Sequence, residues 1–313
     1  MRYGLPYKGS KNGIAEWIVS ELPSADVFVD LFFGGGAITH RAMLADKYKR
    51  FIVNDIDARL PKLFLDCAYG KYTVKNHPEW ITREEFNRRK KDDAYIALVW
   101  SFGNNGKDYI YGSDIEQFKH DYHIAVFEDK PKLLEPYGYM VRTSHKKEPY
   151  ERYLEFNRQI KETARSDLDS IVRQIEIERL QSLQSLQSLQ SYGVDYQEVP
   201  IPDGALIYCD IPYLGTNCGK YDGFDHERFY SWAWDQDNIF ISEYRMPEGF
   251  VEVANREKVV LSASNGNDGK AKEKIFTNRR TYEKLPEDFK RRIKYNTAKQ
   301  LTLFDMGYNP YQE

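Results

Sequence analysis

The chain has 313 residues, of which 41 % are hydrophobic and 30 % charged, the balance of an ordinary globular protein. A net charge of −3 and a pI near 6.1 exclude a uniformly basic nucleic-acid binder and leave only local basic patches. No run approaches the roughly 18 apolar residues of a membrane helix, and the first residues lack an apolar signal core.

In chain order, Pro6-Tyr7-Lys8-Gly9-Ser10-Lys11 reads as a turn before a helix over Ile14–Leu22. Val27–Phe32 is an apolar strand that runs into Gly34-Gly35-Gly36, and Ala37–Lys47 follows with helical composition. Phe51–Val53 is a second short strand, closed by Asn54-Asp55-Ile56-Asp57, and Leu60–Cys67 is helical. Strand, glycine turn, helix, strand, acid is the opening of a doubly wound α/β sheet.

From about Tyr72 to Ser191 the pattern turns polar and mostly helical, with apolar residues spaced along Glu151–Leu180. Leu183, Leu186 and Leu189 recur every third residue in Gln-Ser-Leu triplets. A three-residue step slips each Leu about 60° round a helix, so no stable apolar stripe forms, which suits a helix extension or a repeat expansion. Strand character returns at Tyr192–Val199 and Ala205–Cys209. Phe229–Trp234 reads as an aromatic helix or turn, and Ile239–Ser242 and Lys258–Ser262 as strands. Lys270–Lys299 carries eleven Lys/Arg against four Asp/Glu, and Asp225–Glu257 eight acids against three bases. Leu301–Phe304 ends the basic tail as a docking segment. Cys67, Cys209 and Cys218 have no metal spacing and read as reduced thiols of a cytosolic protein, with no metal implied.

The run Asp30-Leu31-Phe32-Phe33-Gly34-Gly35-Gly36 lacks the G-x-G-x-x-G spacing that cradles a pyrophosphate. It suits a nucleoside joined to an amino acid, which has no phosphate. Glycines let such a ligand approach the backbone. Asp55 stands 21 residues beyond Gly34, where an acid ending the second strand takes ribose hydroxyls. Tyr7 and Lys11 either form an ordinary turn or close over the cofactor, with Lys11 facing a carboxylate.

The strand Ile207-Tyr208-Cys209 ends abruptly in Asp210-Ile211-Pro212-Tyr213. The lone pair of an exocyclic base amine is delocalised into the ring. Acceptors for the amine hydrogens draw that pair toward a methyl donor. The Asp210 carboxylate and the Ile211 carbonyl fit that task. Pro212 fixes its own φ, restricts Ile211 and aims the carbonyl. Tyr213 offers a face on which an extruded base stacks.

These motifs, in this order, resemble the Dam-type (D12 class) DNA adenine-N6 methyltransferases in their alpha arrangement. The resemblance implies a Rossmann-like α/β fold with S-adenosylmethionine as cofactor and double-stranded DNA as partner. It implies a cytoplasmic protein of a bacterial or phage-infected cell, with no membrane and no obligate protein partner. A cognate restriction endonuclease stays an open question. Tyr7, Lys11, Asp30, Phe32, Gly34, Gly36, Asp55 and Asp210 are the implied cofactor residues. Asp210, Ile211, Pro212 and Tyr213 are the implied catalytic ones. Glu273-Lys274-Ile275-Phe276 is similar to a late family signature, and Trp100–Gly112 lies where the family begins its DNA-reading insert. The expected division is a catalytic core over 1–75 and 192–285, an inserted, mainly helical target-recognition region over 76–191, and a basic tail over 286–313. Ile211 stands where the family usually has Pro; the acceptor there is a backbone carbonyl, so the side chain is not itself required. Cytosine N4, RNA or a protein amide as acceptor, and a catalytically inactive DNA-binding relative, are the alternatives.

Overall fold

A computed structural model describes residues 3–73, 79–142, 148–160, 170, 173, 174, 177, 179–183, 188–214, 223–260 and 269–293. Among the described residues seven strands form one sheet: β1 (Val27–Asp30), β2 (Arg50–Asn54), β3 (Leu189–Tyr192), β4 (Leu206–Asp210), β5 (Ile239–Glu243), β6 (Phe250–Val260) and β7 (Gly269–Asn278), in the order β3-β2-β1-β4-β5-β7-β6. This is the doubly wound order with one change, an additional strand β7 seated between β5 and β6. The fold is Rossmann-like α/β. Contacts divide the chain into two units. One comprises Met1–Val19, Phe33–Asp46 and Val53–Asp195, and the other Ser20–Phe32, Lys47–Ile52 and Tyr196–Glu313.

In the second unit, β1 pairs parallel with β4, and β4 with β5. β1 and β5 are buried throughout, and β4 up to Cys209. Continuous apolar strands of this kind need cover on both faces. β7 runs antiparallel to β5 and makes a long hairpin with β6, whose register shifts between Glu252 and Ala254. The helix His226–Trp234 starts at Asp225, whose carboxylate accepts the Arg228 N–H at 2.9 Å. Asn278 is fully buried and works at two helix ends. Its Oδ1 caps the helix Arg279–Lys284 through the Thr281 N–H at 2.8 Å, and its Nδ2 donates to Ala233 O at 2.7 Å.

The first unit holds the helices Ala37–Met43 and Arg59–Ala68, the latter with one strongly apolar face. Further along, Arg83–Arg89 begins at a capping box formed by Thr82 and Glu85, and Ala94–Val99 at Asp93. Glu116–Glu128 and Pro149–Ile160 share an apolar cluster of Tyr122, Ala125, Val126, Leu134, Tyr153, Phe156 and Ile160.

One expectation shifts. The strand expected over Tyr192–Val199 lies earlier, at Leu189–Tyr192, and Tyr196–Glu198 is a 3-10 turn. The strand stops at Gly193, which packs on Ala58 so closely that a Cβ would come within 2.2 Å of the alanine methyl, and the chain bends at Val194. Asn54 then fixes the bend: its side-chain amide donates to Val194 O and accepts from Val194 N, both at 3.1 Å. Of the helical spacing along Glu151–Leu180, Pro149–Ile160 is a helix; most of the remainder lies outside the described residues. So do residues 184–187 of the Gln-Ser-Leu triplets, 261–262 of the Lys258–Ser262 strand, and the tail from 294, including 301–304.

Candidate active site

In the second unit the sheet order reverses between β1 and β4, the point at which an open α/β sheet keeps its ligand crevice. Asp30 ends β1 and Asp210 ends β4. The parallel register sets Asp30 opposite Tyr208, and the Leu31 N–H donates to Tyr208 O at 3.1 Å. One strand further, Asp210 is paired with Ser242, and Glu243 ends β5. Asp30, Glu243 and Glu273 are buried, while Asp210 is partly exposed. Carboxylates thus gather at one end of neighbouring strands. Phe32 lies among the rings of Tyr196, Phe224 and Phe229, with centroids 5.5 to 5.7 Å away.

The segment after β4 is held at three successive residues. Pro212 O accepts from His226 Nε2 at 2.7 Å; a carbonyl only accepts, so this nitrogen carries the proton. The Tyr213 hydroxyl donates to Glu273 Oε1. The Leu214 N–H donates to Glu243 Oε2 at 3.1 Å, and the other oxygen of Glu243 accepts the Tyr244 N–H at 2.6 Å. The Tyr213 ring meets Tyr244 edge-on at 4.6 Å. Burial, and then the nearby Asp210 and Glu273 carboxylates, push the Tyr213 hydroxyl well above its ordinary pKa, so it stays a donor. Ile211 is buried through its side chain. Tyr208 is fully buried with its hydroxyl on Ser242 Oγ at 2.7 Å, and burial likewise raises the Cys209 thiol, which makes it an inert core group.

The first unit gathers Tyr7, Lys11, Gly34, Gly36 and Asp55. Gly34 and Gly36 have φ of 51° and 70°, the left-handed region. The Asp55 carboxylate stitches the turn: Oδ2 accepts the Gly34 N–H at 2.7 Å and Oδ1 the Asp57 N–H at 2.9 Å. Phe33 N donates to Asn54 O at 2.9 Å. Tyr7 covers the glycines closely, and a Cβ on Gly35 would stand 2.6 Å from the Tyr7 Cβ. Lys11 is buried, and its carbonyl accepts the Ile14 N–H at 2.9 Å at the start of the helix Ala15–Glu21.

The strap over residues 3–5 is tied to the same turn. Leu5 N donates to Gly35 O at 2.7 Å, and Gly4 N to His40 Nδ1 at 2.9 Å. His40 is buried and burial lowers its pKa to about 4. An Nδ1 that accepts needs the neutral ring. The unfolded chain, with histidine near 6.5, therefore binds the extra proton first. The contribution is complete above pH 6.5 and is lost as pH falls toward 4, about 3 kcal/mol in all. Urea unfolding of the parent and of His40→Asn at pH 7, 5.5 and 4.5 checks this: the parent is expected to lose this increment over the variant. Parallel curves would remove the argument.

Two groups around 211–214 escaped the sequence reading. Glu243 had a signal, an acid closing the buried strand Ile239–Ser242, the same pattern as Asp30 and Asp210. His226 had none, because its role depends on a contact with Pro212, 14 residues away. Among the described residues no cluster of three His, Cys, Asp or Glu is arranged to hold a metal ion, and no helix is long and apolar enough to cross a membrane.

A Rossmann-like sheet carrying carboxylates at the ends of β1, β4 and β5, with Asp-Ile-Pro-Tyr leaving β4, is the arrangement that the motifs' resemblance to methyltransferases implies. Residues 7–244 match the D12 class N6 adenine-specific DNA methyltransferases, and the chain belongs to that family. No curated protein matches the chain.

Proposed function

We propose that this chain transfers a methyl group from S-adenosylmethionine to the N6 amine of adenine in double-stranded DNA. The observation that carries the reading is the placement of Asp210 at the end of β4, beside the end of β1, at the reversal of strand order. The family match supplies adenine methylation of DNA in general.

S-adenosylmethionine supplies an electrophilic methyl on a sulfonium. Each unit holds residues that suit a part of it. The carboxylates of Asp30 and Asp210 favour a positive centre. The Gly34–Gly36 turn held by Asp55 admits a nucleoside without phosphate, and Lys11 is suited to a carboxylate. Asp210 and the Ile211 carbonyl accept the two amine hydrogens, which restores lone-pair density to the nitrogen. Asp210 then takes the proton that the methylated nitrogen must release. Tyr213 stacks on the extruded base, worth about 1–3 kcal/mol. Residues 1–75 and 192–285 serve as the catalytic core, and 76–191 as the region that reads DNA. The apolar cluster between Tyr122 and Ile160 supports the latter as a folded segment with a core of its own.

Tritiated S-adenosylmethionine offered to DNA, RNA and protein in competition tests the acceptor. The label is expected in DNA alone, and digestion is expected to return it as N6-methyladenine. Label in N4-methylcytosine, RNA or protein would replace the reading with that acceptor; no label anywhere, with DNA still bound, would favour an inactive relative.

A further inference from the structure

We propose that Glu273 is a positioning residue for the methyl transfer: it acts through the Tyr213 hydroxyl to hold the ring in the plane on which the adenine stacks. The inference rests on the reading above and adds a residue to it.

Glu273 sits on β7, 60 residues beyond Tyr213, opposite Arg256 on β6, and is fully buried. A carboxylate oxygen is a stronger acceptor for a hydroxyl than a neutral oxygen in the same place, which suits a bond that must hold a ring still. The hydroxyl it holds belongs to the ring that follows Asp210 by three residues. A tyrosine ring turns about two side-chain bonds, and a fixed backbone alone does not stop it. Here the backbone is fixed by His226 at Pro212 O and by Glu243 at Leu214 N, and the ring tip is fixed by Glu273. Tyr244 stands edge-on against the ring. Anchoring the tip is the remaining constraint. Lys272 and Lys274 flank Glu273 and alternate to the other face of the strand, so Glu273 is the residue of this run placed to reach Tyr213.

The test compares Glu273→Met, Glu273→Gln, Tyr213→Phe and the double variant Tyr213→Phe/Glu273→Met. Glu273→Met is expected to lower kcat about tenfold to a hundredfold while the KM for S-adenosylmethionine stays put. Glu273→Gln, whose amide oxygen still accepts, is expected to recover part of that loss. The double variant is expected to be no slower than Tyr213→Phe alone, because the proposed route from Glu273 to the base runs through that hydroxyl. Full kcat in Glu273→Met overturns the proposal, and so do losses that multiply in the double variant. If Glu273→Met does not fold by circular dichroism, Glu273→Gln combined with Tyr213→Phe decides the same coupling. An unsubstituted chain that methylates no DNA overturns the proposed function itself, whereas an active chain indifferent to Glu273 overturns this inference alone.

Discussion

Asp210→Ala is expected to lose about three orders of magnitude in methyl transfer while melting close to the parent. The loss combines two effects. The amine loses the charged acceptor that localises its lone pair, and the released proton loses its sink; both act through one carboxylate and so do not multiply, and either alone is ordinarily worth about 10²–10⁴-fold. The fold is expected to survive because Asp210 is partly exposed and ends its strand. Its charge also weighs on its surroundings: it helps hold the buried Tyr208 and Tyr213 hydroxyls above their ordinary pKa. Removing it relieves that field. Asp210→Asn keeps the shape and an acceptor oxygen but no charge, and should fall between. Label transfer to DNA and thermal melting, run on the same preparations, check both halves. Activity within tenfold of the parent in Asp210→Ala would end the catalytic assignment.

Gly36→Ala is expected to cost about 2–5 kcal/mol of stability. The backbone there has φ of 70°, where an L side chain is strained, and the new Cβ would lie 2.2 Å from Phe33 Cζ. Phe33 cannot step aside easily. It is buried and packs edge-on against Phe64 at 5.2 Å. The turn would open instead, and with it the Gly36 N–H to Phe33 O bond of 2.7 Å. Binding of S-adenosylmethionine is expected to fall with it. Gly13→Ala is the control, since nothing lies within 4 Å of a Cβ there and its φ is not positive. Urea unfolding and calorimetric titration of the cofactor measure the two effects; a Gly36→Ala chain as stable as the parent would mean the turn is not the rigid element described.

Most of the parts of this protein could be read before they were assembled. Hydrophobic runs of four to six residues ending in glycine or acid mark buried strands, because strand period and turn chemistry are local properties. The order strand, glycine turn, helix, strand, acid, and the later Asp-Ile-Pro-Tyr, followed from them. Tyr192–Val199 misled because its composition is strand-like, while the bend at Val194 is held by Asn54, 140 residues earlier in the chain.

The sequence by itself determined the strand that ends in Asp210, the glycine turn, and the tyrosine three residues on, since each depends on neighbours within a few positions. Only the tertiary structure decided that β1 and β4 lie side by side, that β7 enters between β5 and β6, and that Glu243, Glu273 and His226 close on residues 212–214. Those contacts span 14 to 60 residues, and no local preference encodes them. They exist because strand pairing fixes a register, and the register carries each strand's last side chain to one shared end of the sheet.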